Sequence, residues 1–374
     1  MSRNVYNPFG STTTHYEKTM GKKFMQLKNR FSNMASKSIQ KELEYQRFVI
    51  QDNLEYFKPN HMKKQKTFAE EITLSLNHES KFINPKYFYD DHGSQLFDKI
   101  CELPEYYLYR CESQILKNIA KKLTYHITND VRLVELGSGS SIKTRLLIDA
   151  LFQSQKDVEY FPIDISNVLI DSTKELCSDY KNLKVTGIID TYENGLDFIE
   201  QYDNKPNLIT FLGSSFGNFS ETDGKRFLKK IHNLMKSSDY FLMGVDLKKD
   251  NDILHNAYND SKGLTAEFNL NILERINKEL GGDFKISEFA HHASYNISKG
   301  RIEMHLRSLS NQVVNIASLG LCLKLFQNEL IHTENSHKFS ISEIESIFEK
   351  TGFDIIQIWF DTKKYFGLIL AKKF

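Results

Sequence analysis

The 374-residue chain is poor in cysteine, proline and tryptophan and carries almost no net charge. Its four cysteines, Cys101, Cys111, Cys177 and Cys322, show no Cys-x-x-Cys spacing. That argues against a zinc ribbon or a dithiol redox motif and fits structural thiols of a cytoplasmic protein. The six prolines and scattered glycines form no linker-like stretch, and no internal repeat is visible. A formal net charge of +1 supplies no overall field to draw the chain to nucleic acid or to a membrane. No apolar run approaches the ~18 residues of a membrane span. The twelve histidines are dispersed, and the pair His291-His292 is expected in a loop or strand without a metal. What is present suffices for one large domain or two ordinary ones, with ample apolar content for a core.

The first forty residues differ from the rest. They hold Arg3, Lys18, Lys22, Lys23, Lys28, Arg30 and Lys37 against one acid, Glu17. Such a basic, acid-poor start occurs in organelle transit segments, but serines and arginines are few here, and a peripheral extension over residues 1–57 is the expectation.

The most informative stretch is Leu133-Val-Glu-Leu-Gly-Ser-Gly-Ser-Ser-Ile-Lys-Thr-Arg145. Apolar Leu133, Val134 and Leu136 around Glu135 read as a buried strand, then Gly137 and Gly139 make a turn. From Ile142 onward, Leu146, Leu147, Ala150 and Leu151 have helical spacing. Strand, glycine turn and helix open a nucleotide-binding α/β fold, where glycine lets backbone approach a ligand. A dinucleotide site needs a third glycine three residues after the second, and Ile142 stands there; a P-loop needs Gly-Lys-Ser/Thr. Glu-x-Gly-x-Gly resembles instead the first motif of S-adenosylmethionine-dependent methyltransferases, whose cofactor has no phosphate to cradle.

Four further strands follow. Val158 to Asp164 ends in an acid about 20 residues on, where a carboxylate meets ribose hydroxyls. Leu183 to Asp190 again ends in an acid, Leu208 to Ser215 ends in Gly213 and serines, and Tyr240 to Leu247 passes through Asp246. Helical stretches from Asn167 to Tyr180 and Asp223 to Met235 separate them. Strands alternating with helices predict a doubly wound, parallel Rossmann-like sheet with ligands at the carboxyl ends of its strands. The tail, Gly352 to Trp359 and Tyr365 to Ala371, reads as a closing hairpin.

Further strings carry a more specific likeness. They are Pro85-Lys-Tyr-Phe-Tyr-Asp-Asp-His-Gly-Ser94, Leu103-Pro-Glu-Tyr-Tyr107, Phe211-Leu-Gly-Ser-Ser-Phe-Gly-Asn218 and Gly244-Val-Asp-Leu-Lys-Lys-Asp250. Ala257-Tyr-Asn-Asp260, Thr265-Ala-Glu-Phe-Asn-Leu-Asn271, Gly300-Arg-Ile-Glu-Met-His-Leu306 and His332-Thr-Glu-Asn-Ser-His-Lys338 continue the series. In this order, over roughly residues 80 to 374, the chain resembles the histidine-specific Nα-methyltransferases of ergothioneine biosynthesis. The resemblance implies a second, substrate-binding domain built from residues 58–110 and 249–338, beside a cofactor domain of residues 111–248 and 339–374. It implies S-adenosyl-L-methionine as cofactor, S-adenosyl-L-homocysteine as product, a small amino acid as the only partner and a monomer.

By the same resemblance the cofactor meets Gly137, Gly139, Lys143, Asp164, Asp190 and Thr191, with Asp164 on ribose and Asp190 near adenine. The amino acid meets Tyr89, Tyr106, Gly213, Asn218, Tyr258, Phe268, Met304, Glu334 and Ser336. Tyr89 and Asn218, in the catalytic positions, and Tyr258 hold its amino and carboxylate groups; Tyr106, Glu334 and Ser336 read its ring. On a strand, Glu334 and Ser336 share one face. A carboxylate beside a hydroxyl suits an imidazole, whereas an indole pocket has no use for a buried acid. Methyl transfer from a sulfonium is mostly positioning, and a neighbouring positive charge lowers an amine's pKa without a dedicated base. No catalytic histidine is therefore expected. The implied product is the trimethylated betaine hercynine. The alternatives are methylation of a tryptophan-derived or other aromatic amine, a non-catalytic sensor and, disfavoured by the missing glycine, a nicotinamide-dependent dehydrogenase.

Overall fold

Strands alternate with helices through the middle of the chain, in the computed structural model that describes residues 45–60, 66–138, 142–165 and 168–374. A hairpin, β1 (Tyr45–Gln51) and β2 (Leu54–Pro59), precedes three helices, α1 (Phe68–Leu76), α2 (Asp91–Cys101) and α3 (Tyr107–His126). Then come β3 (Arg132–Leu136), α4 (Ile142–Leu151), β4 (Val158–Asp164), α5 (Val168–Asp179), β5 (Leu183–Ile189) and α6 (Tyr192–Glu200). They lead into β6 (Asn207–Phe211), α7 (Glu221–Leu234) and β7 (Tyr240–Asp246). The next segment holds α8 (Asn251–Tyr258), α9 (Leu264–Leu280), β8 (Phe289–Asn296), β9 (Arg301–Ser308), β10 (Gln312–Ile316), β11 (Leu321–Leu325) and β12 (Leu330–His337). The chain closes with α10 (Ile341–Thr351), β13 (Phe353–Phe360) and β14 (Phe366–Lys373).

The large sheet runs β1-β2-β5-β4-β3-β6-β7-β14-β13. From β3 the chain winds outward through β4 and β5, then returns to the other side of β3 with β6 and β7, all parallel. The crevice between β3 and β6 is thus the switch point where α/β sheets bind ligands. Helices cover both faces, so β3, β6 and β7 are buried along their whole length and are mostly apolar, with Arg132, Glu135, Asn207, Thr210 and Asp246 buried among the apolar residues. Alternate residues feed two separate cores: Leu133, Leu208 and Leu242 enter one, Val134, Ile209 and Phe241 the other.

Both ends of this sheet are antiparallel. At one, the closing hairpin inserts β14 between β7 and β13. At the other, β2 pairs with β5 in parallel and carries β1 on its outer side. Residues 45–57, expected within an extension, are therefore sheet strands, held by ladder hydrogen bonds and by the Tyr45 hydroxyl donating to Asp190 (2.8 Å). Residues 1–44 of that expected extension, and Gly139, lie outside the described residues.

A separate three-stranded antiparallel sheet, β12-β9-β8, stands apart from the large one. In β9 the residues Ile302, Met304, Leu306 and Ser308 are buried while their neighbours are half-exposed, the period-two pattern of a sheet with one covered face. Helix α9 covers that inner face through Phe268, Ile272 and Leu273. His291 and His292 lie on β8.

Candidate active site

Two glycines open the switch-point crevice. Gly137 follows β3 with φ +76° and Gly213 follows β6 with φ +78°, conformations that L side chains rarely adopt. A Cβ on Gly137 would come 2.7 Å from the Tyr192 hydroxyl, so the bare backbone keeps this cradle open. Glu135, the one acid within β3, is buried: it accepts from Thr144 (2.7 Å) and Tyr160 (2.6 Å) and ties α4 to the sheet. Asp164 closes β4 at the same edge, half-exposed.

Three expected cofactor contacts already have partners within the protein. Lys143 pairs with buried Glu112 (2.7 Å), whose carboxylate also receives the Gly213 N–H at 2.9 Å. The Lys143 ammonium lies 3.4 Å from where a Cβ on Gly213 would sit, so it remains at the crevice. Asp190 takes hydrogen bonds from Tyr45, from the Thr191 backbone N–H and from Asn194. Thr191 caps α6 by accepting from the Asn194 backbone N–H. Asp190 and Thr191 therefore order the β5–α6 turn. Tyr192, which the sequence did not single out, is the side chain facing Gly137. The crevice fits an adenosyl cofactor: two glycine turns where a Cβ would intrude, and an acid, Asp164, at the second strand's end.

Beside the crevice, aromatic rings from five segments converge. Tyr89 ends the 3₁₀ turn Pro85–Phe88 and meets Phe97 of α2 (5.5 Å between centroids) and Phe268 of α9 (5.7 Å). Tyr106, just before α3, meets Phe97 at 6.0 Å and Tyr258 of α8 at 6.3 Å. Such edge-on contacts suit the quadrupoles of aromatic rings. Tyr89 is 44 % accessible, which marks the open side of the cluster.

Glu334 and Ser336 face this cluster from β12. Glu334 stands opposite Met304 in the β12–β9 ladder, next to a bulge. It is buried, and among the described residues nothing donates a hydrogen bond to its carboxylate. Burial pushes its pKa up to about 7 against the pull of the Lys338 charge. The Tyr89, Tyr106 and Tyr258 phenols all feel the Glu334 charge. Asn218 ends the 3₁₀ turn Ser215–Asn218, which is packed against β12: the His337 ring donates from Nδ1 to the Gly217 carbonyl (2.8 Å), and a Cβ on Gly217 would lie 2.8 Å from the His337 oxygen. Of the nine expected substrate residues, Tyr89, Tyr106, Tyr258, Phe268, Met304, Glu334 and Ser336 thus share this cluster, Gly213 lies at the crevice, and Asn218 ends the turn packed against β12.

A buried polar network lies behind Tyr258 and Ser336, and most of its members carry no signal in the sequence. Asp246, at the end of β7, pairs with Lys338 (2.7 Å) and Lys249 and accepts from the Tyr107 hydroxyl (2.7 Å). Burial pushes the Asp246 carboxyl up, but the two ammoniums outweigh it and hold it below its ordinary value. Lys249, buried and repelled by Lys338, is pulled down to about 8 in spite of Asp246. The Asp246 backbone N–H donates to Ser214 Oγ (2.9 Å), which ties the network to the Gly213 turn. One member is legible in sequence: Lys338 follows Glu334 and Ser336 at the same two-residue step.

A family model described as "histidine-specific methyltransferase, SAM-dependent" matches residues 68–373. The Histidine N-alpha-methyltransferase of Mycolicibacterium smegmatis is 35% identical over 302 residues, covering 80% of this chain and 93% of that protein. The protein of the same name from Mycobacterium tuberculosis is 36% identical over 304 residues, covering 81% and 94%. Ergothioneine biosynthesis protein 1 of Neurospora crassa is 32% identical over 293 residues, covering 76% of this chain but 32% of that longer protein. With a switch-point crevice built for an adenosyl cofactor and a match over most of its length, the chain belongs to the S-adenosylmethionine-dependent, histidine-specific methyltransferases.

Proposed function

We propose that this enzyme methylates the α-amino group of L-histidine, carries the reaction to the trimethylated betaine hercynine, and thereby begins ergothioneine biosynthesis. S-adenosylmethionine bound at the crevice supplies an electrophilic methyl carbon. The protein's own task is to hold a neutral amine in line with that carbon and keep water away. An α-amine with a pKa near ~8 is mostly protonated at neutral pH, and baring its lone pair there costs about 1.4 kcal/mol. Proximity to a sulfonium offsets that cost by disfavouring the ammonium form. Tyr89, Asn218 and Tyr258 hold the amino and carboxylate groups, while Tyr106, Met304, Phe268, Glu334 and Ser336 enclose the ring.

Glu334 is the observation that carries the choice of substrate. A buried carboxyl without a hydrogen-bond donor is costly. An imidazole N–H supplies the missing donor, so binding relieves a penalty that the free protein bears. Lys143 would turn from Glu112 toward the methionine carboxylate with little movement. The experiment is incubation with methyl-labelled cofactor and each of the twenty amino acids, followed by mass analysis. Histidine alone should gain one, two and three methyl groups; turnover of tryptophan in preference to histidine would overturn the reading.

A further inference from the structure

Lys338 has three N–H donors and no lone pair. Wholly buried, it spends them on Asp246 Oδ2 (2.7 Å), the Tyr258 hydroxyl (2.9 Å) and Ser336 Oγ (2.9 Å). The Tyr258 hydroxyl in turn donates its proton to Ser336 Oγ (2.8 Å). These four contacts leave few choices. Ser336 Oγ accepts twice, so both lone pairs are used and only its proton is free. Tyr258 has given up its proton and accepts once, so only a lone pair is free.

We propose that Lys338 is a positioning residue that sets the direction of these hydrogen bonds, so that Ser336 meets the substrate ring only as a donor and Tyr258 meets the substrate amine only as an acceptor. This rests on the histidine reading and refines it. Glu334, two residues before Ser336, offers an acceptor on the same side of β12. One acceptor and one donor complement a neutral azole with one N–H and one bare ring nitrogen. Indole has an N–H but no second nitrogen, so it would strand the Ser336 proton in a buried site. A site built to hydrogen-bond a group rejects analogues lacking it far better than an apolar pocket rejects an extra atom. On the amine side, an acceptor-only Tyr258 favours an N–H-bearing nitrogen and gives no proton to a carboxylate. Lys338 touches no substrate in this scheme; Asp246 anchors it, and Ser336 and Tyr258 transmit its effect.

The test uses ring analogues that differ by one atom. The two thiazolylalanine isomers carry a bare nitrogen at one or the other ring position; thienylalanine has C–H there instead. Each isomer competes with thienylalanine for methylation in one tube, so the ratio of products does not depend on how much enzyme is active. Wild type should prefer one thiazolyl isomer about tenfold, the worth of one hydrogen bond. Ser336→Ala and Lys338→Met should both bring that ratio to within about twofold of unity, while titration with S-adenosylhomocysteine shows the cofactor site intact. Lys338→Arg, which keeps charge and donors, should restore part of the preference. If Lys338→Met yields no cofactor-binding protein, the triple variant Lys338→Met with Asp246→Asn and Lys249→Met removes all three buried charges together and carries the same expectation. A wild-type preference that survives in Ser336→Ala or in the Lys338 variants overturns the proposal. So does a wild-type ratio near one in an enzyme that methylates histidine, with the histidine reading left standing. A wild type that binds cofactor but methylates neither histidine nor the azoles would end that reading, and this proposal with it.

Discussion

Two buried carboxylates within the same substrate region have opposite surroundings. Asp246 sits among Lys338, Lys249 and Tyr107 with its oxygens fully engaged. Glu334 sits among phenol rings, with no donor aimed at it among the described residues. The first is a finished piece of structure; the second, on the function proposed above, is half of an interaction. Their ionisation follows: Asp246 is held below the ordinary carboxylate range and Glu334 is pushed up to about 7. A buried acid therefore indicates a ligand only when the protein has left it without partners.

Breaking the first centre should have the largest effect. Asp246→Ala would leave two buried ammoniums facing one another, and removal of one partner of a buried pair costs about 3–5 kcal/mol. Urea unfolding should show the loss, with activity falling as the folded fraction falls. Removing the second centre should instead spare the fold and harm recognition. Glu334→Ala should lower kcat/KM for histidine about 10–100-fold, as expected for a hydrogen bond to a charged group, while turnover of tryptophan holds or rises. A mutant more selective for histidine would contradict the role given to Glu334.

The comparison sharpens with pH. In the unfolded chain Glu334 titrates near its ordinary 4.5, in the folded protein at about 7. Below 4.5 both states are protonated and the group costs nothing. Between these values the unfolded chain releases a proton that the folded protein retains, so stability falls as pH rises and the full penalty stands above 7. Glu334→Gln should accordingly stabilise the ligand-free protein by about 1–3 kcal/mol near pH 8 and by almost nothing near pH 4. Equal gains at both pH values would mean that the carboxyl is not penalised. KM for histidine should also fall as pH rises through about 7, as Glu334 becomes the acceptor. The smallest effect is expected far from both acids: Ser340→Ala, which removes the capping box of α10, should cost about 1 kcal/mol of stability and leave the ratio of histidine to tryptophan turnover unchanged.

Much of the fold is legible in the sequence, for local reasons. The strands β3 to β7 announce themselves as apolar runs, and Gly137 and Gly213 mark turns whose backbone no other residue adopts easily. The tail alternation of residues 353–373 predicts a hairpin, and it forms. The first hairpin gives no such signal because β1 lies on the rim and is mostly exposed, so it lacks the burial that produces a pattern. Asp190 closes its strand at the ligand edge in the sequence, but the contacts by which it also orders the β5–α6 turn, to Tyr45 far along the chain and to Asn194, appear only in the folded protein.

By itself the sequence determined the alternation of strand and helix, the ligand edge and the step-of-two placing of Glu334 and Ser336, because periodicity and turn chemistry act between near neighbours. Only the tertiary structure decided which carboxylate would be quenched and which left open. Lys338 and Tyr258 stand 80 positions apart in the chain, and Asp246 belongs to the other sheet. Whether such groups meet depends on how two sheets pack, and burial then turns a few ångströms into the difference between a settled charge and a waiting one.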